Sequence, residues 1–352
     1  MVSIAAIVGR SIVGGFSGTS APESFLGALR RRERGGAILF RRNIEGPEQV
    51  AELNASLAAA NPELLLGVDQ EGGRVVRLGP PCLALPPAME LGQRGEATVR
   101  EVATAQAEEL RHLGFTTSFA PVLDVHSRPE NPIIGDRAFS REPHEAARLA
   151  CAFADGLEAG GILPCGKHFP GHGDTTQDSH LELPTVAKTK AELMATELVP
   201  FRAAIGRNIA ALMTAHVVFS GLDPSGPATM SRAILHDLLR VELGYEGVVI
   251  SDDLEMKAIT QDAGDAAVAA MAAGCDMLLV CADEARQDAA FQALRKEAEA
   301  SDAFRVRCTD AAERARRMTD RRRSAASISA FRAATRAHAR IGELLRTKVA
   351  AS

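Results

Sequence analysis

The residues best suited to chemistry crowd into one stretch, 166–184, GKHFPGHGDTTQDSHLELP, where a lysine, three histidines and two aspartates lie among glycines and prolines. Asp178 and His180 stand two apart, so an extended backbone sends both side chains to one side. A carboxylate so placed orients an imidazole, fixes its tautomer and raises its basicity, the make-up of an acid/base pair working near neutral pH. An Asp-x-His triplet alone is a weak signal. Lys167 and His168, at the head of the stretch, suit the hydroxyl or anionic groups of a ligand. A buried ion pair of Lys167 with Asp69 or Asp124 accounts for the lysine equally well. His172, flanked by Gly171 and Gly173, suits a loop-forming role.

Other candidates sit where apolar runs stop. The run 64–68 leads into Asp69-Gln70-Glu71-Gly72-Gly73-Arg74, 117–123 into Asp124, and 247–250 into Ser251-Asp252-Asp253, while His216 lies near the end of 209–218. A buried strand would present Asp252 at its end and turn Asp253 to the other side. A carboxylate there can serve as nucleophile, metal ligand or helix cap, and Asp253 is the better placed of the two to cap. Charges with scattered structural jobs would not collect at one end of successive apolar runs.

What must position these residues is a set of short strands. Eight runs rich in Val, Ile and Leu (5–8, 36–40, 64–68, 117–123, 162–165, 209–218, 247–250 and 277–281) are mostly too short for helices. Their near-continuous apolarity marks parallel strands buried on both faces. Between them 22–32, 47–60, 96–113, 142–159, 190–205, 232–243, 262–273 and 283–300 carry helical patterns. Ser140, Ser231 and Asp262 act as start signals, and Gly114, Gly160, Gly206, Gly244 and Gly274 follow the ends closely. Eight strand-helix repeats predict an α/β fold, a closed (β/α)8 barrel of the TIM type, with reactive groups at the C-terminal ends of its strands. Residues 1–300 would form the barrel and 301–352 a basic helical extension on its outside, 325–352 as one alanine-rich helix. No low-complexity linker marks a second domain, so 1–352 reads as a single catalytic domain.

Composition narrows the function classes. Hydrophobic residues at 46% and charged residues at 24% fit a soluble globular protein, and a formal net charge of -5 argues against a nucleic-acid partner. Six cysteines without a CxxC pair give neither a disulfide framework nor a structural zinc site, and suit a reducing cytoplasm. Arg10 interrupts the N-terminal apolar run, against a secretory signal, and no apolar run approaches the ~18 residues of a membrane span.

Seven segments, GGAILFRRN, VDQEGGRVVRL, FAPVLDV, IIGDRAFS, GKHFPGHGDTTQDSHLELP, MTAHVVFS and GYEGVVISDDLEM, occur in that order over about residues 35–282. Together they resemble glycoside hydrolase family 3, and within it the single-domain bacterial β-N-acetylglucosaminidases of cell-wall recycling. The resemblance implies a (β/α)8 barrel that needs no cofactor and no metal. It implies Asp252 as the nucleophile that forms a covalent glycosyl-enzyme, His180 as acid/base and Asp178 as its dyad partner. Asp69, Arg77, Arg137, Lys167 and His168 match positions that hold the hydroxyls of a terminal N-acetylglucosamine, with Asp124 and His216 as further site-lining candidates. The implied partner is a small glycan, an N-acetylglucosaminyl muropeptide fragment such as GlcNAc-anhydroMurNAc, and a cytoplasmic monomer with no membrane contact is expected. Independently, a chain with no Trp and one Tyr lacks the aromatic platforms of long glycan clefts, which favours a pocket for one terminal sugar and exo-action.

Alternatives stay open at this level. Within the family they are a β-glucosidase or β-xylosidase and an N-acetylglucosaminide phosphorylase, the latter because a neutral His repels an anionic phosphate less than a carboxylate would. From other classes, His168, His172, His180, Asp174 and Asp178 could serve a metal-dependent hydrolase, although their spacing matches no compact metal motif. A non-catalytic sugar-binding barrel would need neither Asp252 nor the Asp178/His180 pair.

Overall fold

The computed structural model describes residues 3–175, 183–321 and 326–347. Eight strands close into a parallel barrel: β1 (Ile12–Gly14), β2 (Gly36–Leu39), β3 (Leu65–Val68), β4 (Thr117–Ser118), β5 (Leu163–Phe169), β7 (Ala211–Thr214), β9 (Val248–Asp253) and β10 (Met277–Val280). They adjoin in the order β1-β10-β9-β7-β5-β4-β3-β2. Alternate residues of each strand face different neighbours. Val13, Ile38, Leu65, Leu163, Met213, Ile250 and Leu279 fill the barrel interior around Phe119. Leu39, Leu66, Leu212, Val249, Leu278 and Val280 pack outward under the helices. Burial on both faces is why these runs read as uninterrupted apolar sequence. Gly67 is glycine for a steric reason: a Cβ there would stand 2.5 Å from the Phe119 ring.

Helices cover the outside: α1 (Ile4–Gly9), α2 (Glu23–Arg30), α3 (Pro47–Ala60), α4 (Ala88–Gly92), α5 (Glu96–His112), α6 (Pro143–Ala159), α7 (Lys190–Ala195), α8 (Leu198–Gly206), α9 (Ala263–Ala273), α10 (Glu284–Ala300), α11 (Asp302–Asp320), α12 (Ile328–Ala337) and α13 (Ala339–Arg346). A π-helix, Ala233–Glu242, stands between β7 and β9. Asp262 caps α9 as the sequence predicts. The α6 cap is Glu142, which accepts from the amides of His144 and Glu145, while Ser140 stands behind it and accepts from the Glu142 amide.

Three expectations are corrected. The run 5–8 is the helix α1, capped by Ser3, and the first strand is β1. Four apolar residues carry no decisive periodicity, and the serine cap settles the outcome. The segment 190–205 is two helices that part at Thr196, with Pro200 in the first turn of α8, where a missing amide hydrogen costs nothing. The single helix expected over 325–352 is instead the pair α12 and α13, meeting at His338. One element was not foreseen: β6 (Thr185–Thr189) pairs in parallel with β8 (Val218–Gly221) outside the barrel, so the run 209–218 contributes to two sheets.

Candidate active site

The strand ends deliver the expected side chains to one place. A cavity of about 290 Å³ opens at the C-terminal mouth, and Asp69, Arg77, Arg137, Lys167, His168 and Asp252 all line it. Its apolar wall includes Phe40, Ile133, Met213, Met256 and Leu279. That volume sits at the small end of ligand pockets, about the size for one sugar ring. A larger cavity, about 410 Å³, lies at the opposite end of the barrel beside Arg10, Arg32 and Arg316. There the arginines are already paired with Glu63 and Glu313.

The wall of the site is a network of charges. Lys167 Nζ lies 2.8 Å from Asp69 Oδ1 and 2.5 Å from Glu71 Oε1. Arg137 grips Glu71 with both arms of its guanidinium, Nε to Oε2 at 2.8 Å and Nη2 to Oε1 at 2.9 Å. Arg77 Nη2 reaches Asp69 Oδ2 at 3.3 Å. The buried ion pair read for Lys167 therefore exists, with Asp69 and Glu71 rather than Asp124. Burial pushes the Glu71 carboxyl up, but Lys167 and Arg137 outweigh it and hold Glu71 far below the usual carboxylate range. Burial likewise lowers Lys167, and Asp69 and Glu71 more than offset that, so the lysine stays charged. Sequence reasoning did not single out Glu71. Its position two residues after Asp69 at a strand end, on the same side of an extended backbone, was the available signal.

Asp124 and His216 do not line the cavity. Asp124 is fully buried and works as a template: it accepts from the backbone amides of His168 and His172 and from His168 Nδ1 at 2.7 Å. With Nδ1 so engaged, His168 turns its other ring nitrogen to the cavity. His216, also fully buried, links Thr229 Oγ1 at 2.7 Å to the carbonyl oxygen of Asp253 at 3.0 Å and so supports the end of β9. Both were expected at the lining, but each spends its polar atoms on backbone and neighbouring groups beneath it. His172 lines the cavity and also folds its loop, through Thr175 Oγ1 at 2.9 Å. Burial, followed by the nearby His168, lowers it to about 4.

Asp252 accepts a hydrogen bond from the Asp253 amide at 2.8 Å and faces the cavity. Burial raises its carboxyl, but His216, His168 and the Asp253 amide together outweigh this, so it lies below the ordinary value and is ionised at neutral pH. Asp253 does not cap a helix. Its Oδ1 accepts from the amides of Glu255 and Cys281, which ties β9 to β10. Burial raises Asp253 to about 6. Asp178 and His180 lie outside the described residues. On the N-terminal side, the chain leading to them is pinned by Asn131 to the His172 carbonyl and Thr175, and by Arg128 to Asp174.

Fold and cavity define a (β/α)8 protein with an ionised carboxylate and a fixed network of charged groups at the strand ends, the layout of a barrel enzyme. The family described as "Glycosyl hydrolase family 3 N terminal domain" matches residues 24–318. A Beta-hexosaminidase of Pseudomonas aeruginosa is 45% identical over 273 residues, 76% of this chain and 81% of the relative. Among solved structures, NagZ from Neisseria gonorrhoeae in complex with N-trifluoroacetyl-D-glucosamine superposes with a TM-score of 0.81 at 35% identity, covering 95% of this chain and 98% of that one. The Beta-N-acetylhexosaminidase of Beutenbergia cavernae gives a TM-score of 0.85 at 33% identity, over 91% and 99% of the two chains. The chain belongs to glycosyl hydrolase family 3 and is a glycoside hydrolase of the β-N-acetylhexosaminidase type.

Proposed function

We propose that the enzyme is an exo-acting, retaining β-N-acetylglucosaminidase, with Asp252 as nucleophile, and that 1–352 acts as one catalytic domain. The observation that carries the reading is an ionised Asp252 facing a one-sugar cavity whose opposite wall is the Asp69–Lys167–Glu71–Arg137 network. In the first step the Asp252 carboxylate forms an ester bond to the anomeric carbon as the glycosidic bond breaks, and His180, backed by Asp178, gives its proton to the leaving oxygen. In the second step water adds to the anomeric carbon, its proton passes to His180 and the ester bond breaks. Asp69, Arg77, Arg137, Lys167 and His168 hold the sugar hydroxyls, which fixes the ring for in-line attack.

The finer substrate is a muropeptide fragment, GlcNAc-anhydroMurNAc or a peptide-bearing form, cleaved in the cytoplasm by a monomer. Charge at the rim supports an acidic leaving group. The Arg42 guanidinium lies 4.4 Å from the centre of the cavity-lining Phe40 ring and donates to the carbonyls of Phe16 and of the cavity-lining Cys281, and among the described residues no carboxylate pairs with it. A cation left without a carboxylate partner beside the mouth of a chain of net charge -5 favours carboxylates on the aglycone.

The test is a panel of aryl β-glycosides (N-acetylglucosaminide, glucoside, xyloside) with wild type, Asp252→Ala and His180→Ala. Turnover of the N-acetylglucosaminide is expected to be lost with Asp252→Ala. With His180→Ala it should fall much more for poor leaving groups than for activated ones. Equal loss on both leaving-group types removes His180 from the acid role. Release of sugar 1-phosphate in phosphate buffer would replace hydrolysis by phosphorolysis, and loss of activity on exhaustive chelation would favour the metal-dependent reading.

A further inference from the structure

The C-terminal helices have no part in the chemistry just described, yet they reach the substrate-binding wall through a short chain of buried contacts. His338, at the junction of α12 and α13, is 8% exposed. Its Nδ1 lies 3.0 Å from Glu109 Oε1 and its Nε2 3.1 Å from Glu108 Oε2, both on α5. Glu109, 2% exposed, uses its other oxygen to accept from the Leu83 amide at 2.7 Å. Leu83 belongs to the return arm of the loop after β3, whose outgoing arm carries Asp69, Glu71 and Arg77.

The two arms are pressed together. The Gly73 amide donates to the Leu85 carbonyl at 3.0 Å. At Gly72, φ is +113°, and a Cβ would meet the Pro86 carbonyl oxygen at 2.6 Å. Glu71 is the next residue, and its carboxylate holds Lys167 and Arg137. The far end of the extension is also tied down, because Arg94 donates to the carbonyls of Leu344, Leu345 and Thr347.

We propose that His338 is a positioning residue for the sugar site: through Glu109 and Leu83 it braces the return arm of the β3 loop and so holds Glu71 against Lys167 and Arg137. The inference rests on the functional reading above. Its physical basis is that a nearly buried carboxylate keeps its orientation only while donors meet its oxygens. The groups meeting Glu109 are the His338 ring and one amide hydrogen. Without His338, the Glu109 carboxylate turns toward water and releases the Leu83 amide, and the loop loses its outer anchor. Sugar affinity then falls, while the reacting groups on β9 stay in place.

The amide groups of Asn and Gln separate this role from plain stability, since Asn places its Nδ2 near the Nδ1 position of histidine and Gln its Nε2 near the Nε2 position. His338→Ala is expected to raise KM for an aryl β-N-acetylglucosaminide by about fivefold, with kcat within about twofold, the size of one ordinary hydrogen bond's net contribution. His338→Asn keeps the Glu109 bond and should restore KM, whereas His338→Gln keeps the Glu108 bond and should not. Arg332→Ala, which breaks an exposed pair between α12 and Glu48, should leave KM unchanged. Hydrogen exchange of the Leu83 and Gly73 amides, which does not depend on turnover, should quicken about tenfold in His338→Ala and His338→Gln but not at the strand β9. A folded His338→Ala with normal KM and normal exchange overturns the brace, as does equal rescue by Asn and Gln. If His338→Ala does not fold, the Asn and Gln variants decide. Fast exchange in the variants with no turnover even by wild type would sink the functional reading and leave the brace standing.

Discussion

Replacing Glu71 by Gln changes almost no volume and removes one charge, so its effect isolates what that carboxylate does. Glu71 is 7% exposed and takes three short contacts, from Lys167 at 2.5 Å and from Arg137 at 2.8 and 2.9 Å. Lys167 and Arg137 Nη2 share Oε1, so Gln with its amide oxygen there keeps both and turns its NH2 toward Arg137 Nε, losing one contact and the charge. Hydrogen bonds to charged groups are worth ~1.5–3 kcal/mol each, and breaking one partner of a buried pair costs ~3–5 kcal/mol in all. The two routes meet at about 3 kcal/mol, which for a chain of this length lowers Tm by roughly 4 °C. On the proposed reading that Arg137 and Lys167 hold the sugar, they lose their common anchor and KM should rise at least about tenfold. The depressed Glu71 carboxyl adds a sign test. Its stabilisation is present above the unfolded-state value and lost as pH falls through the folded one, so the Tm gap should persist from pH 8 to about pH 5 and close only in stronger acid. Scanning calorimetry and steady-state kinetics across that range are the assays. A Tm within about 1 °C of wild type together with an unchanged KM would refute the network as the organiser of the wall.

Three further outcomes follow from other parts of the molecule. Gly67→Ala forces a methyl group against the Phe119 ring and should cost ~1–3 kcal/mol by denaturant unfolding, with kcat of the folded fraction unchanged. The hydrogen bond that His338 donates to Glu109, outweighing burial, raises His338 above its ordinary value, so its contribution to stability is present below about pH 6.5 and lost as pH rises through the folded value. The Tm difference between wild type and His338→Ala should therefore shrink from pH 6 to pH 9, and a constant difference would count against a charged His338 facing Glu108 and Glu109. Arg42→Ala should raise KM about two- to fivefold for substrates with a carboxylate-bearing aglycone and leave a neutral aryl glycoside unaffected, as expected for an exposed charge. The same change on both substrates would mean that Arg42 acts through its packing on Phe40 and its bonds to the Phe16 and Cys281 carbonyls, not through its charge.

How far the sequence could be read depends on which force places each residue. Strands buried on both faces must be apolar until they reach solvent, so Asp69, Lys167 and Asp252 announce themselves by interrupting such runs. The same rule brought Asp124 and His216 to the correct ends of the barrel, but depth below the surface is not written in a strand pattern, and both lie under the cavity. The run 5–8 misled because its fate hangs on one serine hydroxyl and not on period. Glu71 escaped notice because its role comes from Arg137, 66 residues away. His338 meets Glu109 across 229 residues, a contact that no local pattern encodes.

The division of charge in the site explains why Asp252 can be left so lightly bonded. Lys167 and Arg137 are held by Glu71 and Asp69, so they cannot collapse onto Asp252, yet Lys167 still contributes to keeping it ionised from a distance. In the nucleophile role proposed for it, Asp252 would be poorer if those cations gripped it directly, because attack would have to break the ion pair. Asp252 instead takes a single amide hydrogen bond from Asp253 among the described residues. His216 steadies the Asp253 carbonyl from below, and Asp124 sets His168 at the side. Removing His216 should therefore act on Asp252 without touching the charged wall: kcat falls while the Kd of an unreactive sugar analogue stays. This separates the floor of the site from the wall that Glu71 organises.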